Sequence, residues 1–203
     1  KKCKKVIFAG NIIKPKLSKL KLDLKGLYYI PRVVKAAKLG DAAILKALIK
    51  ILSENNINVI KLNTFNPELT LKKGIYTKIK PSNLDKKEIH KGIKILKKLN
   101  SYNHTQAVII RDNKVISLEK RKGTSAMIKS ISKSKMKQGF LIKLPKVKQD
   151  LRVDLPTIGI DTFKDCNKAG IKGIVVKSNQ NIILNKEFSI KYANRNKLFL
   201  VAI

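Results

Sequence analysis

Tryptophan is absent from the 203-residue sequence, cysteine and histidine occur twice each, and 13 acidic side chains face 46 basic ones. Each shortage closes a class of function. Cys3 and Cys166 lie far apart, form no Cys-x-x-Cys pair and are too few for a disulfide framework or a cysteine zinc site, which fits a reducing cytosol. His90 and His104 have no carboxylate or cysteine at ligand spacing, which argues against a histidine metal site or a Ser-His-Asp triad. No apolar run approaches the ~18–20 residues that a membrane-spanning helix needs. The opening Lys1-Lys2-Cys3-Lys4-Lys5 also lacks the apolar stretch of a signal peptide, so a soluble or peripheral protein is expected.

The charge imbalance amounts to +33, which attracts polyanions at long range. Nucleic acid is nevertheless not the expected partner. Only Arg32, Arg111, Arg121, Arg152 and Arg195 offer the bidentate fork favoured for base reading, and the 5 tyrosines and 6 phenylalanines give few stacking platforms. The lysines are spread over nearly every segment alongside abundant isoleucine and asparagine, the pattern of compositional drift. A surface of anionic lipid headgroups is at least as good a match, at ~1 kcal/mol per nearby lysine.

Hydrophobic residues make up 43% of the chain in short blocks, enough for one full core and part of another. The chain starts without methionine and runs into an apolar stretch, 5–10, that reads as a buried strand ending at Gly10. Something further is expected upstream. After Gly40, Ile44, Leu45, Leu48, Ile51 and Leu52 recur at helical spacing with Asp41 as a candidate cap, and 57–62 reads as a strand. Strand, helix and strand point to an α/β unit with a parallel sheet. The turn-rich segment 63–81 marks a domain boundary, with an edge strand at 75–79. Ser82 and Asp85 stand at capping-box spacing before a helix whose buried stripe is read as Leu84, Ile89, Ile93, Leu96 and Leu99. The runs 106–111 and 114–119, split by Asp112-Asn113, form a predicted hairpin. A short helix after Gly123-Thr124, a strand at 140–144, a helix at 161–168 and strands near Ile174, Ile183 and 198–201 complete a mixed α/β domain.

The densest polar block is 143–159, where Asp150 and Asp154 flank Arg152 and Pro145, Pro156 and Gly159 stiffen the loop. Carboxylates beside cations suit a divalent metal or the activation of water, while Lys and Arg neutralise phosphate oxygens. The competing reading is a surface loop in which Arg152 merely pairs with an aspartate, worth ~0–1 kcal/mol. A second candidate is Glu119 followed by Gly123-Thr124-Ser125, where backbone N–H groups at a helix start can meet a phosphate, or where a hydroxyl simply caps the helix.

The block Gln149-Asp150-x-Arg152-x-Asp154-Leu155-Pro156-x-Ile158-Gly159, preceded by Lys143-x-Pro145-Lys146, resembles the signature of the UDP-2,3-diacylglucosamine pyrophosphatase family of the LpxI type. Further agreement runs in order along the chain: Ala9-Gly10 with Lys14-Pro15, Asp23 to Gly26 leading to Pro31-Arg32, Gln106-Ala107-Val108, Glu119, Gly123-Thr124 and the closing Leu198 to Val201. The resemblance implies an α/β protein with residues 1–66 as the remnant of an N-terminal Rossmann-like domain, cut short at its glycine-rich start, and 67–203 as the catalytic domain. It implies hydrolysis of UDP-2,3-diacylglucosamine to UMP and 2,3-diacylglucosamine 1-phosphate in lipid A synthesis, with Mg2+ or a similar ion. Asp154 would be the essential carboxylate. Asp150, Asp154 and Glu119 would serve metal or water, and Arg152 would join the catalytic set. Substrate would be held by Lys143, Lys146, Gln149, Thr124, Gly123, Gln106, Thr157, Lys14 and Arg32. The implied setting is cytoplasmic, peripheral on the inner membrane, with no specific nucleic acid and with a homodimer left open. Lys122-Gly123-Thr124-Ser125 and Asn103-His104-Thr105-Gln106 stand where the family carries acidic residues. These departures keep a second reading in play, a non-catalytic homologue that binds lipid or nucleotide sugar.

Overall fold

The computed structural model describes residues 3–10, 20–100, 105–131, 138–147 and 149–203. The chain is an α/β protein of two compact units: Lys1–Phe65 with Asp150–Asp154, and Asn66–Gln149 with Leu155–Ile203.

In the first unit, strand β1 (Lys5–Val6) pairs in parallel with β2 (Asn58–Val59), as a strand-helix-strand pattern requires. Between them run helices α1 (Leu24–Ala37) and α2 (Asp41–Glu54), which pack on one another. Asp23 caps α1, its carboxylate accepting the Gly26 N–H at 2.7 Å. Arg32 grips Glu54 through both guanidinium Nη atoms at 2.7 Å, and Asn55 Nδ2 donates to the Tyr29 hydroxyl at 3.0 Å, so polar bonds lock the two helices together. Asp41 is the first residue of α2 and Gly40 occupies the cap, which corrects the expectation that Asp41 caps it. Gly40 takes φ +105°, a conformation open to glycine that aspartate would adopt only with strain.

The second unit is built on a six-stranded mixed sheet. Its strands are β3 (Gly74–Ile75), β4 (Ala107–Arg111), β5 (Lys114–Leu118), β6 (Phe140–Lys143), β8 (Gly173–Val176) and β10 (Phe199–Ala202), in the order β3-β10-β8-β6-β4-β5. β6, β8 and β10 are mutually parallel; β4 pairs antiparallel with β6 and β5 antiparallel with β4 on one side, and β3 pairs antiparallel with β10 on the other. Each of β6, β8 and β10 is buried along its full length, the apolar run expected of a strand covered on both faces. One face packs on α3 (Asn83–Asn100) through Ile89 and Leu96. The other carries α4 (Gly123–Lys129), α5 (Ile160–Lys168) and α6 (Lys186–Arg195), with Phe163 and Cys166 at full burial. A separate parallel pair joins β7 (Thr157–Ile158) to β9 (Ile182–Ile183).

The predicted hairpin is present, with Asp112 and Asn113 both at positive φ, 49° and 57°. So is the capping box: Asp85 N–H donates to Ser82 Oγ at 3.1 Å, and the Ser82 N–H returns a bond to Asp85 Oδ2 at 2.9 Å. Leu84 departs from expectation. It lies 62% exposed because it falls in the first turn of α3, before the helix reaches the sheet. Among the described residues no helix is long and apolar enough to cross a membrane.

Candidate active site

Parallel strands point their carboxyl ends to one edge of a sheet, the edge at which α/β proteins gather ligand groups. Here β6 ends at Lys143, which sits opposite Ala107 at the start of the antiparallel β4. Leu144 N–H donates to the Gln106 carbonyl at 2.9 Å and Glu119 N–H to the Ala107 carbonyl at 3.0 Å. Three segments therefore deliver Gln106, Glu119 and Lys143 to the same edge.

Their side chains and backbone close a network. The Thr124 hydroxyl donates to Glu119 Oε1 at 2.5 Å and accepts from the Lys143 ammonium at 2.8 Å. Lys143 also donates to the Thr157 carbonyl at 3.1 Å, and the Gln106 N–H donates to Glu119 Oε2 at 3.2 Å. Glu119 and Lys143 are 5% and 7% exposed, so two opposite charges are held out of water with a hydroxyl between them. A buried ion tolerates this only when it is hydrogen-bonded and compensated, and both conditions are met. The Oε1 atom of Gln106 is buried beside this network and has no hydrogen-bond partner among the described residues.

Asn181 braces the network from behind. It is 1% exposed, its Nδ2 donates to the Lys143 carbonyl at 3.2 Å and its Oδ1 accepts the Lys177 N–H at 2.8 Å, which ties the end of β6 to the loop after β8. Sequence reasoning missed it. An asparagine in the run Ser178-Asn179-Gln180-Asn181 reads as an ordinary turn residue.

Lys146 and Gln149 form a tight turn, in which the Lys146 N–H donates to Gln149 Oε1 at 2.8 Å and the Gln149 N–H to the Lys146 carbonyl at 3.1 Å. Gly123 opens α4 at φ +83° with open space where a Cβ would sit. Beside β5 and α4 lies a cavity of about 540 Å³ with an apolar floor of Leu118, Ala126 and Met127 and a basic rim of Lys120, Arg121 and Lys122. Ser125 Oγ donates to Asp165 at 2.7 Å, joining α4 to α5. Cys166 is fully buried and burial pushes its thiol up, so it stays protonated and unreactive.

In the first unit, the Arg152 guanidinium clamps Asp150 through Nε at 3.0 Å and Nη2 at 2.7 Å, and the Arg152 backbone N–H adds a third bond at 3.0 Å. These bonds from Arg152, working against partial burial and helped by the Lys46 charge, hold the Asp150 carboxyl below its usual range. Asp150 and Arg152 line a cavity of about 410 Å³ together with Lys46, Ile49, Lys50, Ser53 and Glu54. The Asp154 N–H donates to the Asp150 carbonyl at 3.0 Å, so one turn carries both aspartates. Asp154 is half-buried, and among the described residues no hydrogen bond or ion pair engages its carboxylate. Arg32 is committed to Glu54 and lies 5.8 Å over the Tyr29 ring. Lys14 falls outside the described residues.

Among the described residues no three or more His, Cys, Asp or Glu side chains gather as a metal cage. Magnesium does not need one, since it usually takes one or two carboxylates and completes its shell with water and substrate phosphate. Of the three carboxylates considered as ligands, Asp150 is spent on Arg152 and Glu119 on Thr124 and Gln106. Asp154 retains the lone pairs that such an ion requires.

Comparison with known proteins gives two matches along the chain. The family models for the LpxI N-terminal domain and the LpxI C-terminal domain match residues 1–69 and 72–201. A curated relative from Caulobacter vibrioides, the UDP-2,3-diacylglucosamine pyrophosphatase LpxI, is 28% identical over 209 residues, covering 99% of this chain and 75% of that protein.

Proposed function

Because the chain belongs to the LpxI family, with both domains matched, we propose that it is a hydrolase of lipid A biosynthesis that cleaves the pyrophosphate of UDP-2,3-diacylglucosamine. The products are UMP and 2,3-diacylglucosamine 1-phosphate. The observation that carries this reading is the buried network at the carboxyl end of β6, in which Gln106, Glu119, Thr124, Lys143 and Thr157, far apart in sequence, come together.

A phosphoanhydride already contains a good leaving group, so catalysis consists mainly of positioning and charge neutralisation. Water adds to one phosphorus, the bridging P–O bond breaks with its electron pair passing to the departing phosphate oxygen, and the water proton passes to a general base, the role that the resemblance implies for Asp154. Lys143 supplies positive charge to phosphate oxygens, and it does so from a fixed position because Thr124 and the Thr157 carbonyl hold its ammonium. A magnesium-type ion, held by Asp154, would neutralise further charge on the diphosphate. The cavity beside α4, with its apolar floor and basic rim, suits a ligand that combines an apolar body with an anionic group.

The test is UMP release from UDP-2,3-diacylglucosamine by the purified chain. Asp154→Asn should lower kcat by ~10²–10⁴-fold, the usual weight of a general base, with an unchanged unfolding transition. An unaltered rate in that variant removes Asp154 from the mechanism. Substrate binding without UMP at any magnesium concentration would instead establish the non-catalytic homologue, the reading favoured by Ser125, whose hydroxyl serves as a helix-to-helix tie to Asp165.

A further inference from the structure

Helix α1 turns an apolar face to the solvent. Leu24 is 87% exposed, Leu27 55% and Tyr28 70%, and Pro31 is exposed as well. At about 100° of rotation per residue, these side chains fall on one stripe about 100° wide, running along two turns of the helix. The inward side holds Tyr29 and Val33, half-buried, and Ala36, buried, which account for the packing of α1 on α2. Scattered exposed apolar residues are normal on a protein surface, but four in register on one helix face form a patch that calls for a partner.

Charge selects the partner. Lys21, Lys25, Lys35 and Lys38 are exposed on this helix and its flanks. The one acidic side chain there, Asp23, is exposed and accepts the Gly26 N–H as the cap of α1, so the lysines outnumber it four to one. Arg32 is neutralised by Glu54. A second copy of the chain would bring the same lysines against these ones, in a molecule that already carries +33. A bilayer with anionic headgroups offers the opposite sign around the rim and hydrocarbon beneath it, and an amphipathic helix with cationic flanks lies in that interface with its apolar face sunk below the headgroups. Tyr28 is suited to the boundary, with an apolar ring and a polar tip.

We propose that the Leu24, Leu27, Tyr28 and Pro31 face of α1 docks on an anionic phospholipid surface, with its lysines on the headgroups. For a hydrolase of a diacylated substrate this places the enzyme at the surface that holds its substrate, although the docking is independent of that chemistry and is tested without it.

The chain has no tryptophan, so Tyr28→Trp introduces a single reporter. With phosphatidylcholine vesicles containing phosphatidylglycerol, its emission should shift to the blue and be quenched by brominated acyl chains, and pure phosphatidylcholine should produce neither change. The charge-neutral double variant Leu24→Gln/Leu27→Gln should bind the anionic vesicles at least ~10-fold more weakly in salt that screens the lysines. Emission that stays put while the protein co-sediments with vesicles would show that other lysine-rich surfaces make the contact and would overturn the proposal. So would equal binding by the glutamine variant, or self-association through this face with vesicle binding unaffected.

Discussion

Lys143 and Glu119 stabilise one another through Thr124, so removing either one leaves the other charge buried with fewer partners. Lys143→Met should lower kcat/KM by ~10²–10³-fold, and by ~1–3 kcal/mol destabilise the fold, because Glu119 loses its compensating cation. Steady-state UMP assays and urea midpoints on the same preparation separate the two effects. Asn181→Ala removes the tie between the Lys143 carbonyl and the Lys177 N–H without touching the ammonium. It should lower kcat more than it raises KM and leave the pH profile in place, whereas a plain folding defect would lower the active fraction and leave KM unchanged. Most of the network was legible at this scale: Gln106, Glu119, Thr124 and Lys143 stand in the family-like motifs, and Thr157 falls at an unspecified position inside the block 143–159. Asn181 was not, since a bond to a carbonyl 38 residues away leaves no local mark.

At the scale of elements, close approach decides several positions. Gly139 has φ +70°, and a Cβ there would strike the Ile110 carbonyl across the β4–β6 pair. Gly139→Ala should therefore cost about 2–3 kcal/mol, read as a fall in the urea midpoint. Asp85 anchors the start of α3 to the sheet, with Lys172 Nζ 2.6 Å from its Oδ1. Burial works to raise the Asp85 pKa, but Lys172 and the Ser82 backbone and hydroxyl outweigh it and leave it below the ordinary value. A carboxyl depressed in the folded state adds stability that is fully present above its unfolded pKa of about 3.9 and is lost as pH falls through the folded value. Asp85→Asn should thus be less stable than the wild type by ~1–3 kcal/mol at neutral pH, with the gap closing in urea titrations below about pH 4. The capping box and the Asp112-Asn113 hairpin were readable because their signals span only a few residues. Helices α1 and α6 were not read: α1 contains Gly26 and Pro31, both breakers in isolation, and the packing of α1 on α2 together with the Asp23 cap overrides them.

For the whole molecule, a net charge of +33 on 203 residues means that the folded chain repels itself. Raising the salt concentration through the range in which the Debye length falls from about 30 to 3 Å should raise Tm, and a sulfate series should raise it further. A Tm that is flat in salt would mean that the lysines are already screened by their own spacing.

Local information in the chain determined its α/β class, the positions of most strands and helices and the identity of nearly all the polar residues at the edge of β6. Helical period, turn chemistry and motif residues act over a few positions, so they survive in a one-dimensional reading. What only the tertiary structure decided is which charges are spent and which are available. Glu119 meets Gln106 across 13 residues and Lys143 meets Thr124 across 19, so the sheet register, not the motif, commits Glu119. The exposed face of α1 belongs to the same class, because a helical stripe is equally apolar whether or not another element covers it.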